Sequence, residues 1–154
     1  MKQTTILFLL ISLLQISCNP MDKKIYWDNG NLKKEGQVYN GKATGLWIFY
    51  YETGEKQSET YYKDDVRHGH TIHYWQNGSK KGEGDYVNGE LNGKWIAFHE
   101  NGRIEQEGEM KNGKENGIWK VWDSSGKQII EAEYTNGELV VEKRISSDTI
   151  STDK

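Results

Sequence analysis

One cysteine stands in the whole 154-residue chain, Cys18. That excludes a disulfide within the chain and a zinc site built on thiolates. One proline, Pro20, stands against seventeen glycines, a balance that points to tight turns rather than long helices. Hydrophobic residues are only 34% and the mean hydropathy is strongly negative, so a large globular core is not expected. Charge of one sign is also missing. The net charge is −3, without the basic footprint that nucleic-acid binding requires. The one long apolar run, residues 6–14, is too short to span a bilayer. What the chain has instead is aromatic weight, six Trp and nine Tyr, which argues against disorder.

Those aromatics recur with a period of 24 residues. Glu stands at Glu35, Glu59, Glu83, Glu107 and Glu131, Gly at Gly45, Gly69, Gly93 and Gly117, and a second Gly column runs from Gly30 to Gly126. Trp47, Trp95 and Trp119 share a column, and so do Tyr26, Tyr50, Tyr74, Phe98 and Trp122. A register that holds over five copies is the mark of a stacked repeat protein. Each copy carries two strand candidates. The first is a short aromatic and β-branched run (47–50, 71–74, 95–98, 119–122). The second alternates charged residues with a small residue and then a large one, as in Gly84 and Tyr86. Period-two alternation with one polar face predicts a half-exposed strand. The small residue leaves room for a neighbouring ring to lie over the backbone. Asn-Gly occurs nine times and predicts type I′ hairpin turns. Each copy is thus expected to be one hairpin, joined to the next by an Asn-Gly-x-x-x-Gly connection. A lone hairpin is marginal in water, so the expected fold is all-β: a single elongated twisted antiparallel sheet of about ten strands.

At the amino end, Lys2, the apolar run and Ser17 directly before Cys18 have the layout of a secretory leader. A small residue before a lone Cys resembles the bacterial lipoprotein signal, with Gln15 as a departure from its usual apolar position. That resemblance implies lipidation of Cys18 and, with Asn19 rather than Asp next, the outer membrane of a diderm cell. The expected layout is a signal peptide over 1–17, a lipidated N-terminus and tether over 18–25, repeats over 26–145 and a flexible tail over 146–154. Lys23 and Lys143 replace Trp in the outermost copies, as polar capping repeats require. Charges at Glu142, Lys143 and Arg144 are expected to guard the last edge.

Asn88-Gly89, Gly93, Trp95, Phe98, Gly102, Glu107 and Gly108 resemble the MORN repeat, in the variant form of bacterial secreted proteins. The resemblance covers residues 26–139. It implies stacked hairpins and a role in protein or membrane contact rather than catalysis, and it touches a group labelled antitoxin-like. The choline- or glucan-binding hairpin repeat is a weaker look-alike, since it lacks the Glu column.

Three sets of residues are site candidates. The Glu column would form an acidic stripe for a cationic partner, strongest around Glu105, Glu107, Glu109, Glu131 and Glu133. A residue present in every copy more often serves the copy, so pairing with lysines of neighbouring strands is favoured. His68, His70 and His73 lie close in sequence, but strand alternation puts His70 and His73 on opposite faces, a poor geometry for a metal. The same copy breaks the pattern with Asp64-Asp65 for Asn-Gly and Thr71 for Trp. Rule-breaking sometimes marks a working site, so Arg67, His68, His70, His73 and Trp75 form the candidate contact patch. The aromatic columns lie on opposite sides of their strands, one expected to be core and the other open to a peptide, glycan or lipid headgroup. No nucleophile–base set or paired-carboxylate set stands out from the repeats. The expected function is a non-enzymatic, cofactor-free envelope lipoprotein that contacts a protein partner. The alternatives are a carbohydrate, cell-wall or membrane-surface binder and an antitoxin-like partner-binding protein.

Overall fold

The computed structural model describes residues 19–145. The expectations placed on Cys18, on the leader 1–17 and on the tail 146–154 lie outside the described residues. Twelve strands and no helix make up the rest: β1 (Met21–Tyr26), β2 (Leu32–Tyr39), β3 (Lys42–Tyr50), β4 (Lys56–Lys63), β5 (Val66–Tyr74), β6 (Lys80–Val87), β7 (Glu90–Leu91), β8 (Gly93–Phe98), β9 (Ile104–Lys111), β10 (Lys114–Trp122), β11 (Gln128–Thr135) and β12 (Glu138–Arg144). All pairings are antiparallel, and the sheet runs in chain order from β1 to β12, with short β7 beside β6. The stacked-hairpin sheet is therefore the fold. It begins at Met21, earlier than the expected boundary at 26. Residues assigned to a tether pair with β2 from Met21↔Val38 to Tyr26↔Leu32.

Strands are longer than the aromatic runs suggest. β3 starts at Lys42, directly after Asn40-Gly41, and passes through Gly45 without leaving the sheet. The expected connection is a two-residue turn followed by a strand that bulges at its Gly: pairing skips between Glu35 and Gln37 on the facing strand. Gly45, Gly69, Gly93 and Gly117 all have positive φ there, which a β-bulge exploits.

Asn-Gly thus serves three backbones, not one. Both residues have positive φ at Asn40-Gly41, Asn88-Gly89, Asn112-Gly113 and Asn136-Gly137, the type I′ turn. At Asn92-Gly93 and Asn116-Gly117 only the Gly does, inside or beside a strand. At Asn29-Gly30, Asn77-Gly78 and Asn101-Gly102 only the Gly does again, and the Asn works through its side chain. Asn29 Oδ1 accepts from Asn31 N at 2.9 Å, and its amide donates to Glu52 O in the next copy at 3.1 Å. Asn77 and Asn101 repeat both bonds.

Asp64-Asp65 keeps the type I′ shape with φ of 53° and 70°. Where other copies have Gly, Asp65 bears the left-handed conformation and recovers its cost through its carboxylate. Oδ1 accepts from Ala43 N at 2.7 Å while Asp65 N donates to Ala43 O at 3.0 Å. Asp65→Ala keeps the strained φ and loses the carboxylate bond. It should lower the urea-unfolding free energy by about 1–2 kcal/mol, whereas Asp65→Gly trades strain relief for the bond and should stay within about 1 kcal/mol of the native protein.

Burial assigns the two faces. Trp47, Tyr86, Ala97, Trp119, Ala132, Ser58, Thr60, Thr71, Gly82 and Gly84 are the buried residues among those described. Strand register places them together, since Trp47 faces Thr60, Thr60 faces Thr71 and Trp119 faces Ala132. The core is thus one face of the sheet, the one that carries the tryptophan column.

Candidate functional site

The opposite face carries the glutamates in one unbroken row. Register runs Lys24, Glu35, Ile48, Glu59, Ile72, Glu83, Ile96, Glu107, Lys120, Glu131, Lys143 across eleven strands. Isoleucines separate the first four acids, and lysines flank or divide the rest. Lys24 pairs with Glu35 at 3.1 Å, Lys80 with Glu83 at 2.7 Å and Lys94 with Glu107 at 2.9 Å, and Lys56 pairs with Glu59. The tyrosine column adds donors: Tyr50 Oη donates to Glu35 at 2.7 Å and Tyr74 Oη to Glu59 at 3.1 Å. These four glutamates are committed to the sheet itself.

Their titration follows. The Tyr50 hydroxyl and Lys24 hold Glu35 below the ordinary carboxylate range, and Lys56 and then Tyr74 do the same for Glu59. Burial, then Glu35, pushes Tyr50 up to about 12. A depressed carboxylate contributes stability that is present above its unfolded value, near 4.5, and is lost as pH falls through its folded value. Glu59→Gln should cost about 1 kcal/mol or less at neutral pH, because the pair is solvent-screened. It should also flatten the stability loss below about pH 4.5, as read by urea titration at stepped pH.

The tryptophan face repeats a different device. A Cβ at Gly36 would stand under 3.0 Å from Cγ, Cδ2 and Cε2 of Trp47, and one at Gly108 would meet the same atoms of Trp119. Each indole lies flat on a glycine of the preceding strand. Its nitrogen reaches one residue further: Trp47 Nε1 donates to Gln37 O at 3.1 Å and Trp119 Nε1 to Glu109 O at 3.2 Å.

Trp95 departs from this. Its Cζ2, on the nitrogen side of the ring, lies nearest Gly82, and its Cε3 lies nearest Gly84. The ring is turned end for end relative to Trp47 and Trp119. One local fact accounts for it. Gly82 stands where other copies place Lys34, Ser58, Gln106 and Ile130, so the turned ring has room. Trp95 Nε1 has no partner among the described residues.

A cleft of about 610 Å³ opens at that point. Its floor is small and buried: Ser58, Gly82 and Ala97. Register makes them one row with His73, in the order Ser58, His73, Gly82, Ala97, Gln106. His73 packs against Trp95 with ring centroids 6.1 Å apart. Burial, then Arg67 and Lys81, lowers its pKa, so the ring is neutral at physiological pH. Tyr51 and Trp75 also line the cleft. Lys81 Nζ sits 4.4 Å from the Trp75 ring centroid, a cation–π contact.

The five residues of the expected contact patch do not converge. Arg67 lies on the tryptophan face, donating to Tyr86 Oη at 2.9 Å and stacking on that ring. His73 and Trp75 line the cleft. His70 is on the glutamate face, 3.1 Å from Asp85, and His68 is exposed in β5. Sequence reasoning missed a further column: Trp27, Tyr51, Trp75 and His99, again 24 apart. Each donates into the next copy, to Tyr50 O, Tyr74 O, Phe98 O and Trp122 O at 2.8–3.3 Å. The signal was available, because these residues directly follow the tyrosine column. Their varied chemistry, joined only by a ring-borne donor, hid it.

The second distinctive surface is the terminal edge. β12 is exposed along its whole length, and Leu139, Val140 and Val141 are 51%, 56% and 56% exposed. Among the described residues it pairs only with β11. Its charges leave the apolar run Leu139–Val141 between them, Glu138 at the start and Glu142, Lys143 and Arg144 at the far end. The β1 edge instead carries Asp22, Lys23 and Lys24 in its centre.

Comparison with known families agrees with this geometry. A family model described as MORN repeat variant matches residues 22–40, 43–64, 67–88 and 91–112, more than half of the chain. No curated protein matches it.

Proposed function

Because the chain belongs to the MORN repeat variant family, a repeat scaffold, we propose that it is a non-enzymatic envelope lipoprotein that captures a protein partner along the β12 edge. The carrying observation is the run Leu139, Val140 and Val141, exposed on a strand with one side unpaired. An edge of free N–H and C=O groups with apolar side chains is a template for an added strand. The layout gives this edge a direction. Cys18 stands three residues before β1, so lipidation there holds β1 at the bilayer. Eleven strands at roughly 4.8 Å spacing then set β12 about 45–50 Å away along the sheet. The charged centre of β1 suits that proximal position.

The test is crosslinking and pull-down of the native lipoprotein from its own membrane. Expected is one defined protein, captured by the native chain and lost with Val140→Lys plus Val141→Lys. Equal capture by that variant rejects the edge as the contact surface. Cys18→Ala should release the protein from the membrane fraction, and retention there rejects the anchor.

A further inference from the structure

We propose that the cleft beside Trp95 is a binding site for a neutral sugar ring. It lies on the tryptophan face and does not depend on the β12 edge. Three features carry the assignment.

The first is that the cleft is built by coordinated departures from the repeat. Gly82 and Ala97 occupy positions where other copies hold Lys34 or Ile130 and Phe49 or Val121. Together with Ser58 they leave a shallow buried floor. The same glycine lets the Trp95 indole turn, which brings its nitrogen edge toward that floor. The equivalent nitrogens of Trp47 and Trp119 are consumed by backbone carbonyls. That of Trp95 remains an open donor within a cleft whose size suits a small ligand.

The second is the division of labour among the aromatics. Tyr51 and Trp75 spend their polar atoms on Tyr74 O and Phe98 O. What they offer a ligand is ring surface held in a fixed place. Rigid aromatic surface with few polar demands of its own suits a flat, partly apolar ring, and the C–H face of a pyranose is such a surface.

The third is charge balance. The polar rim holds Lys81, Glu105, Gln57 and Gln106, one cation, one anion and two amides, and His73 is neutral. An anionic phosphate wants an excess of cations, and a quaternary amine wants aromatic walls without Lys81 nearby. Hydroxyl groups, which both donate and accept, match amides and an opposed charge pair. The ligand class left is uncharged, rich in hydroxyls and apolar on one face.

The experiment titrates the lipid-free protein, residues 19–154, with cellotriose, chitotriose and maltotriose, and with phosphocholine and inorganic phosphate as charged probes. Binding is followed by tryptophan fluorescence and calorimetry. At least one neutral saccharide should bind with saturable quenching. Ala97→Phe, which copies Phe49 of an earlier repeat, should fill the cleft and weaken binding at least tenfold without lowering the melting temperature. Trp95→Phe should weaken it about five- to tenfold by removing the indole donor, and Trp119→Phe should leave it unchanged. No response to any saccharide, binding of only the charged probes, or full binding by Ala97→Phe would each overturn the proposal. The β12 double-lysine variant keeps the cleft, so failure of partner capture and failure of sugar binding are read separately.

Discussion

Gly108→Ala is expected to destabilise the protein by about 3 kcal/mol, far more than one methyl group costs at an open site. The reason is where the methyl goes. Gly108 lies under the Trp119 indole, and an added Cβ would stand inside 3.0 Å of three ring atoms. The ring has little freedom to yield. It is 5% exposed, its nitrogen donates to Glu109 O, and Tyr134 packs against it edge-on at 6.4 Å. Relief requires lifting the indole, which exposes its face and breaks that bond. Trp119→Ala should cost about 3–5 kcal/mol by itself, through lost burial. The double variant should cost little more than Trp119→Ala, because the clash disappears with the ring. A double-mutant cycle by urea denaturation measures that coupling, and independent, additive costs would show that the indole does not rest on Gly108. Gly36 under Trp47 should behave in the same way.

The sequence made this stacking legible in outline and concealed its exceptions. A small residue ahead of a large one in the second strand of each copy announced space for a ring, and the Glu column announced a row. Both follow from strand alternation combined with an unslipping period, so the row from Lys24 to Glu131 could be drawn before any coordinates. The last strand pairs one residue out of period, which brings Lys143, expected in the tryptophan column, opposite Glu131. Asn-Gly misled because one dipeptide fits three backbones. Asn40 uses its tolerance of positive φ, whereas Asn29 uses its amide to bridge to Glu52 of the next copy. Only the residues that face each turn distinguish the two. The residues of the expected patch are divided between the faces for a related reason. Arg67, His70 and His73 are neighbours in sequence, but a strand divides neighbours between faces, so His70 meets Asp85 while Arg67 meets Tyr86. The cleft was least legible of all. It depends on Gly82, a departure in one column, turning Trp95, a fully regular member of another.

Thr71 is the departure that sequence alone made look functional, and a swap of two residues should show that it is packing. Position 71 belongs to the tryptophan column, and Thr60 belongs to the column of Gly36, Gly84 and Gly108. Where the ring is missing, so is the glycine. Thr71 is fully buried, donating to Glu59 O at 3.1 Å, and Thr60 Oγ1 reaches it at 2.7 Å. Two hydroxyls that satisfy each other replace an indole lying on a bare backbone. Thr71→Trp alone should therefore cost about 3 kcal/mol or more, since its ring would land on the Thr60 side chain. Thr60→Gly alone should cost about 1–2 kcal/mol, from a lost hydrogen bond and a freer chain. Combined, the two changes recreate the Gly–Trp pair of the flanking copies and should return stability to within about 1 kcal/mol of the native protein. That is a favourable coupling of several kcal/mol between adjacent strands. Additive losses in denaturant would mean that the site cannot accept an indole whatever lies beneath it. Recovery would establish that the stack tolerates two interchangeable packings of one position, and that Thr71 departs from the column together with its cross-strand partner.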